Sequence, residues 1–211
     1  MPSPLASVPY YEKHAARLAE SYDMLAFEQL HNDWASRLPS PGKALDVGAG
    51  TGRDALWLAL HGWQVTAVEP ADAMRELAAR KTLALGLDDD ALSWHNDALP
   101  TLSSVQGQSY QLVLVSAVWM HLSVAHRPAA FKRLIELLAE DGMLVMTLRD
   151  GPNECQRPMY PVSKEEIISL GRPMGLQVEV VSGRGKQPDL LKRPDVRWQT
   201  LIIKREALRL V

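Results

Sequence analysis

Short apolar runs and amphipathic stretches alternate along most of this 211-residue chain. Residues 43–48, 64–69, 111–116 and 143–148 are dominated by Leu, Val, Ala and Met, and residues 92–95 form a briefer run. Each is short and bounded by turn formers, and each reads as a strand. Between them the period changes. Residues 52–61, 71–81 and 127–140 read as helices, the last closed by Asp141-Gly142. Residues 163–174 form another, with Ser163 and Glu166 spaced as a capping box. Near-continuous apolar strands separated by helices predict a parallel sheet covered on both faces, because neither face of such a strand can be left in water. The last two runs, 177–181 and 198–204, have no helix between them and are expected to pair antiparallel at one edge. The expected fold class is α/β: a doubly wound, mostly parallel seven-stranded sheet with an antiparallel last strand.

The first 40 residues have another texture. Residues 1–9 hold three prolines and little charge and read as a flexible lead-in. From residue 11 to 38, Leu18, Tyr22, Leu25, Phe27, Leu30, Trp34 and Leu38 mark one long or two shorter amphipathic helices, stopped by Pro39-Ser40-Pro41-Gly42. The length suits one domain with a small appendage.

Composition removes several classes. Lys and Arg total 23 against 25 Asp and Glu, a net charge of −2, so nothing suggests a protein built to coat nucleic acid or anionic lipid. The single cysteine, Cys155, makes neither an intrachain disulfide nor a CxxC metal clip, and fits the reducing cytoplasm. The start of the chain lacks a charged-then-apolar leader. The longest apolar run, within residues 112–120, falls far short of the ~20 residues a spanning helix needs. No metal-ligand cluster is visible.

The chemistry concentrates in Asp46-Val47-Gly48-Ala49-Gly50-Thr51-Gly52-Arg53-Asp54, a strand end, a glycine turn and a helix start. Such a turn brings backbone close to a ligand, and the helix N-terminus adds unpaired N–H groups. The spacing is GxGxG preceded by an acid, not the dinucleotide fingerprint GxGxxG. This leaves a nicotinamide-dependent oxidoreductase as a weak alternative.

At these residues the sequence resembles the class I S-adenosylmethionine-dependent methyltransferases, Rossmann-like enzymes of the small-molecule type. Leu45-Asp46-Val47-Gly48-Ala49-Gly50-Thr51-Gly52 is similar to their first motif. Glu69, ending the second strand, matches the acid that holds the ribose hydroxyls, and Asn96-Asp97-Ala98 the segment beside the adenine. Ser116-Ala117, ending the fourth strand, matches the segment near the methionine moiety. The resemblance implies S-adenosyl-L-methionine as cofactor, bound by Asp46, Gly48, Ala49, Gly50, Gly52, Arg53, Glu69, Pro70, Met74, Asn96, Asp97, Ala98, Ser116 and Ala117. It implies methyl transfer to a small-molecule acceptor, with His121 and Tyr11 as candidate catalytic groups. Tyr10, Arg149, Arg157 and Tyr160 are candidates for substrate binding, the arginines able to hold an anionic acceptor. It also implies that residues 1–40 form a helical lid on a Rossmann-like domain of residues 41–211, working as monomer or homodimer.

Two bland readings stand beside these. The fold also serves as a binding module without methyl transfer. The basic stretch 183–197, with Arg184, Lys186, Lys192, Arg193 and Arg197, reads as a solvated loop, because Asp189 and Asp195 dilute it and no aromatic residue interleaves. No Asn/Asp-Pro-Pro-Tyr/Phe motif follows the fourth strand, which speaks against amino-group methylation of DNA bases or glutamine side chains.

Overall fold

The computed structural model describes residues 3–181 and 186–206; Arg184 of the basic stretch lies outside them. In chain order the strands are β1 (Lys43–Val47), β2 (Gln64–Val68), β3 (Leu92–His95), β4 (Tyr110–Val115), β5 (Leu138–Asp150), β6 (Leu176–Val180), β7 (Gln187–Pro188) and β8 (Arg197–Arg205). Across one sheet they run β3-β2-β1-β4-β5-β8-β6, with β7 pairing the start of β8. The pairings among β1 to β5 are all parallel. The seven expected strands are present, and the two-residue β7 is an addition. Strand β8 does not close the edge. It inserts between β5 and β6, antiparallel to both, and β6 becomes the edge strand.

Side-chain alternation divides the core into two layers. Leu45, Val47, Val113, Val115, Leu144 and Met146 pack with Phe131, Leu134, Ile135 and Ile167, the inward residues of α5 (Arg127–Glu136) and α6 (Lys164–Gly171). Ala44, Val65, Ala67, Leu112, Leu114 and Val145 pack on the other face with α3 (Arg53–Leu60) and with Phe27 and Trp34. The strand order reverses between β1 and β4. Open α/β sheets bind ligands in the crevice at that switch point, beyond the strand C-termini.

The helix expected over 127–140 stops at Glu136. Leu137 and Leu138 are buried, Tyr110 N–H donates to the Leu137 carbonyl at 2.9 Å, and Leu138 pairs with Tyr110. The chain leaves the helix early because the start of β4 needs a partner. The amphipathic pattern, a local property, does not report that need. At α6, Ser163 Oγ accepts the Glu166 N–H at 3.2 Å, but Glu166 completes no capping box, because its carboxylate pairs with the buried Arg127 at 2.8 Å.

The N-terminal stretch forms α1 (Val8–Asp23), the four-residue α2 (Phe27–Leu30) and a 3₁₀ turn (Ala35–Arg37). Helix α1 begins inside the expected lead-in, with Pro9 in its first turn, where the missing N–H costs nothing. It lies against α4 (Asp72–Ala84), with Ala15 packed near Ala71 and Met74. Two carboxylates tie it down. Glu12 accepts the N–H groups of Asp72 and Ala73 at the N-terminus of α4. Asp23 accepts from Thr51 Oγ1 at 2.9 Å and pairs with Lys81. Among the described residues, no helix is long and apolar enough to cross a membrane.

Candidate active site

The glycine turn joins β1 to α3 and is tied to the neighbouring strand, with the N–H groups of Gly48 and Ala49 donating to the Val68 carbonyl. Gly48 has φ +69°, and a Cβ there would meet Val118 Cγ2 at 2.5 Å, so no other residue fits. Gly50 has φ +57° and open space where its Cβ would be, facing a cavity of about 180 Å³.

Glu69 follows β2 and is buried. Its Oε2 accepts the Gly50 N–H and its Oε1 the Ala71 N–H, each at 2.9 Å. One carboxylate thereby ties the glycine turn to the start of α4. Burial raises the Glu69 carboxyl above the usual range despite these bonds. Each oxygen keeps a second lone pair.

Asp46 is 2% exposed on the α3 side of β1, and its Oδ2 has no hydrogen-bond partner. Burial, then the nearby Asp54 carboxylate, holds its carboxyl well above the usual range. Burial opposes the charge on Asp54 too, but Arg53, in a two-pronged pair at 2.7 and 2.9 Å, and His31, 3.1 Å away, overcome it and keep Asp54 low. Of two neighbouring acids, Asp54 carries the charge and Asp46 is the one held back.

The first cavity is lined by Asp46, Gly48, Ala49, Gly50, Arg53, Glu69, Pro70, Met74, Ala98, Ser116 and Ala117, together with Tyr11 and His121. Ala117 follows β4 with φ +59°, held by its N–H donating to Thr147 Oγ1 at 2.7 Å. Gly52, Asn96 and Asp97 do not line this cavity. The Asp97 carboxylate accepts the N–H groups of Ala98 and Ser104 at 2.7 Å and the Ser103 hydroxyl at 3.4 Å. Burial resists its ionisation, but these donors hold its carboxyl low. Asp97 thus builds the turn that presents Ala98, and its carboxylate is engaged there. Asn96 is exposed and reaches Asp72 at 3.5 Å, and Gly52 packs beneath the turn against Trp94 and Ala78.

Tyr11 and His121 meet across the cavity wall, with the phenol oxygen 2.9 Å from Nε2. His121 Nδ1 lies 3.0 Å from the Pro158 carbonyl, which only accepts, so Nδ1 carries the hydrogen. In the neutral ring Nε2 then accepts from the Tyr11 hydroxyl. Burial, reinforced by Arg157 and Arg149, lowers His121 to about 4, so the ring is neutral at physiological pH. Burial also raises Tyr11, which stays a phenol. A folded-state value below the unfolded one means the unfolded chain binds more protons, so stability falls with pH between the usual 6.5 and about 4. Urea denaturation should show His121→Asn losing about 2 kcal/mol less stability than wild type between about pH 7 and 5.

A second cavity of about 210 Å³ shares Tyr11, Tyr22, Arg53, Ser116 and Ala117 with the first. Its other polar lining includes Asp33, Thr147, Arg149, Arg157, Asp189 and Arg193. Arg149 and Arg157 line this second cavity, which Tyr11 also borders. Tyr10 and Tyr160 line neither cavity. Tyr10 lies one layer back, its ring 5.0 Å from the Arg157 guanidinium. Tyr160 is fixed by its main chain, its N–H donating to the Met120 carbonyl at 2.7 Å.

Sequence reasoning missed Tyr22, Thr147, Asp189 and Arg193. Asp189 and Arg193 pair at 2.7 Å four residues apart, and Trp198 Nε1 donates to Asp189 at 2.8 Å. The spacing of Asp189 and Arg193 was the available signal, but nothing local ties the 187–193 segment to the crevice; its pairing with β8 does.

A sequence profile for a methyltransferase domain matches residues 44–142. Over those residues the chain is similar to the S-adenosylmethionine-dependent methyltransferases. An uncharacterized methyltransferase of Staphylococcus carnosus is 23% identical over 84% of this chain and 85% of its own length. Another, from Oceanobacillus iheyensis, is 30% identical over 64% of this chain, which spans about half of that relative, 54%. The solved magnesium protoporphyrin IX methyltransferase of Synechocystis with bound S-adenosylmethionine shares the fold, with a TM-score of 0.68, 16% identity and 98% coverage of both chains. S-adenosylmethionine is the cofactor of such a methyltransferase. The residues present fit it: open space stands where a Gly50 side chain would be, Asp46 Oδ2 is an orphaned buried acceptor, and Glu69 retains unused lone pairs.

Proposed function

We propose that this methyltransferase acts on a small molecule, with the cofactor in the first cavity and the acceptor in the second. The observation that carries the reading is the shared wall. Tyr11, Ser116 and Ala117 border both spaces, as in-line transfer between two neighbouring ligands requires. Glu69 would accept the ribose hydroxyls, the glycine turn would lie under the nucleoside, Ala98 would border the adenine, and Asp46 and Ser116 would border the methionine moiety. Residues 1–40 serve as a lid. Pro4, Leu5, Ser7 and Val8 line the first cavity, and ligand entry requires this segment to lift or the ligand to slide beneath it.

When bound, the cofactor supplies a sulfonium methyl group that a nucleophile displaces in line. The chain's task is alignment and removal of water, worth roughly 7–11 kcal/mol of barrier in favourable cases. For an acceptor that must lose a proton, Tyr11 offers its oxygen as base while its own proton moves to His121 Nε2. His121 keeps its Nδ1–H on the Pro158 carbonyl throughout.

The test is calorimetric titration with S-adenosylmethionine and S-adenosylhomocysteine. Wild type should bind both. Gly50→Val should remain folded, because strain at its φ is only about 1–2 kcal/mol, but should lose binding as the branched side chain fills the cavity. Equal binding by both proteins would sink the reading. Binding without turnover across a broad acceptor panel would favour a silent module.

A further inference from the structure

We propose that the methyl acceptor carries an acidic group, a carboxylate or a phosphate, that seats on the unpaired edge of the Arg149 guanidinium. This rests on the reading of the second cavity as the acceptor site.

Four arginines among the described residues line that cavity, and three are spent. Arg53 forks onto Asp54 at 2.7 and 2.9 Å. Arg157 holds Glu154 through bonds of 2.7 to 3.2 Å. Arg193 holds Asp189 at 2.7 and 2.8 Å. Arg149 has no such partner. Its Nη1 donates to the Pro152 carbonyl at 3.0 Å, the nearest carboxylate to Nη2 is Glu154 at 3.9 Å, and Nε is buried with nothing to donate to. Nε and Nη2 form one edge of the guanidinium, the edge a carboxylate or phosphate grips in a two-pronged pair.

The residue is built in rather than left over. It sits on β5 in register with Trp198 of β8 and is 4% exposed. A Cβ on Gly151 would crowd its Cζ and both terminal nitrogens at 3.1 Å, so the glycine at 151 makes room for the guanidinium in this position. Neither nearby acid is free to neutralise it. Glu154 is engaged by Arg157, and Asp189 by Arg193 and Trp198. A buried cation with an unused donor edge is costly unless a ligand supplies the anion. Burial and the neighbouring Arg193 weaken the hold of Arg149 on its proton, which an incoming anion would reverse.

The test uses protein saturated with S-adenosylhomocysteine, so that added anions cannot bind in the cofactor cavity, and probes of one shape: benzoate, phenyl phosphate and the neutral benzamide. Calorimetry should find benzoate or phenyl phosphate binding at least tenfold more tightly than benzamide, and the preferred anion tells carboxylate from phosphate. Arg149→Gln should weaken that anion roughly 10- to 100-fold without changing affinity for S-adenosylhomocysteine. Arg149→Lys, which keeps the charge but loses the fork, should fall between and serves if the Gln variant does not fold. Benzamide binding as well as the anions, no binding by either anion, or a folded Arg149→Gln that keeps wild-type anion affinity would each overturn the assignment. Failure to bind S-adenosylhomocysteine at all would instead overturn the underlying methyl-transfer reading.

Discussion

Glu69→Ala should bind S-adenosylhomocysteine at least ~100-fold more weakly than wild type and should lose about 2–5 kcal/mol of stability. Both losses come from one carboxylate. In the folded chain it accepts the part-buried Gly50 and the buried Ala71 N–H groups, so alanine leaves both donors without this partner and frees the glycine turn from the start of α4. The lone pairs facing the cavity, which would take the ribose hydroxyls, disappear with it. Glu69→Gln separates the two effects. An amide oxygen still serves one N–H, but its NH₂ faces the other donor. This variant should retain most of its stability and bind roughly 10-fold more weakly. Denaturant melts and calorimetry on the same preparations would decide. Wild-type affinity in a folded Glu69→Gln would remove Glu69 from the binding site.

Tyr11→Phe should lower kcat by roughly 10²–10⁴-fold if the acceptor must lose a proton, with a smaller change in KM. The substitution removes one oxygen. The ring keeps its edge-on contact with His121, at 5.5 Å and 88°, and its place 5.7 Å from the Arg157 guanidinium. What goes is the hydrogen bond to His121 Nε2, the longer one from Arg157 Nη1 at 3.5 Å, and the base within reach of both cavities. Because the two residues act as a unit, Tyr11→Phe/His121→Asn should be little worse than either single variant. The wild-type rate should hold down to about pH 5 and fall as His121 protonates near 4, since imidazolium cannot accept from the phenol. An acceptor without an acidic proton would show the opposite split, with KM raised and kcat preserved. That outcome would leave Tyr11 a positioning residue.

The sequence alone carried the architecture and most of the residues that line the first cavity. Strands such as residues 111–116 declare themselves because burial on both faces demands apolar residues at every position. The turn at 48–52 and the acid at 69 are legible because chemistry and backbone geometry fix both residue type and position at strand ends. Strand β5 starts earlier than the pattern of residues 127–140 suggests, because pairing with Tyr110 outweighs a local helical preference. Asp97, a plausible ligand by position, spends its carboxylate on Ala98 and Ser104.

The second cavity was decided by tertiary structure. The Tyr11–His121 bond spans 110 positions and Arg157 reaches Tyr22 across 135, distances over which no periodicity carries information. A basic-looking stretch became a wall of the second cavity because β7 pairs with β8, and its Arg193 proved to be neutralised by Asp189. That Arg149 differs from the arginines around it depends on which carboxylates lie within about 3 Å of each guanidinium. Only the folded chain sets those distances, since hydrogen bonds fall off over fractions of an ångström while the sequence gives only residue types and their order.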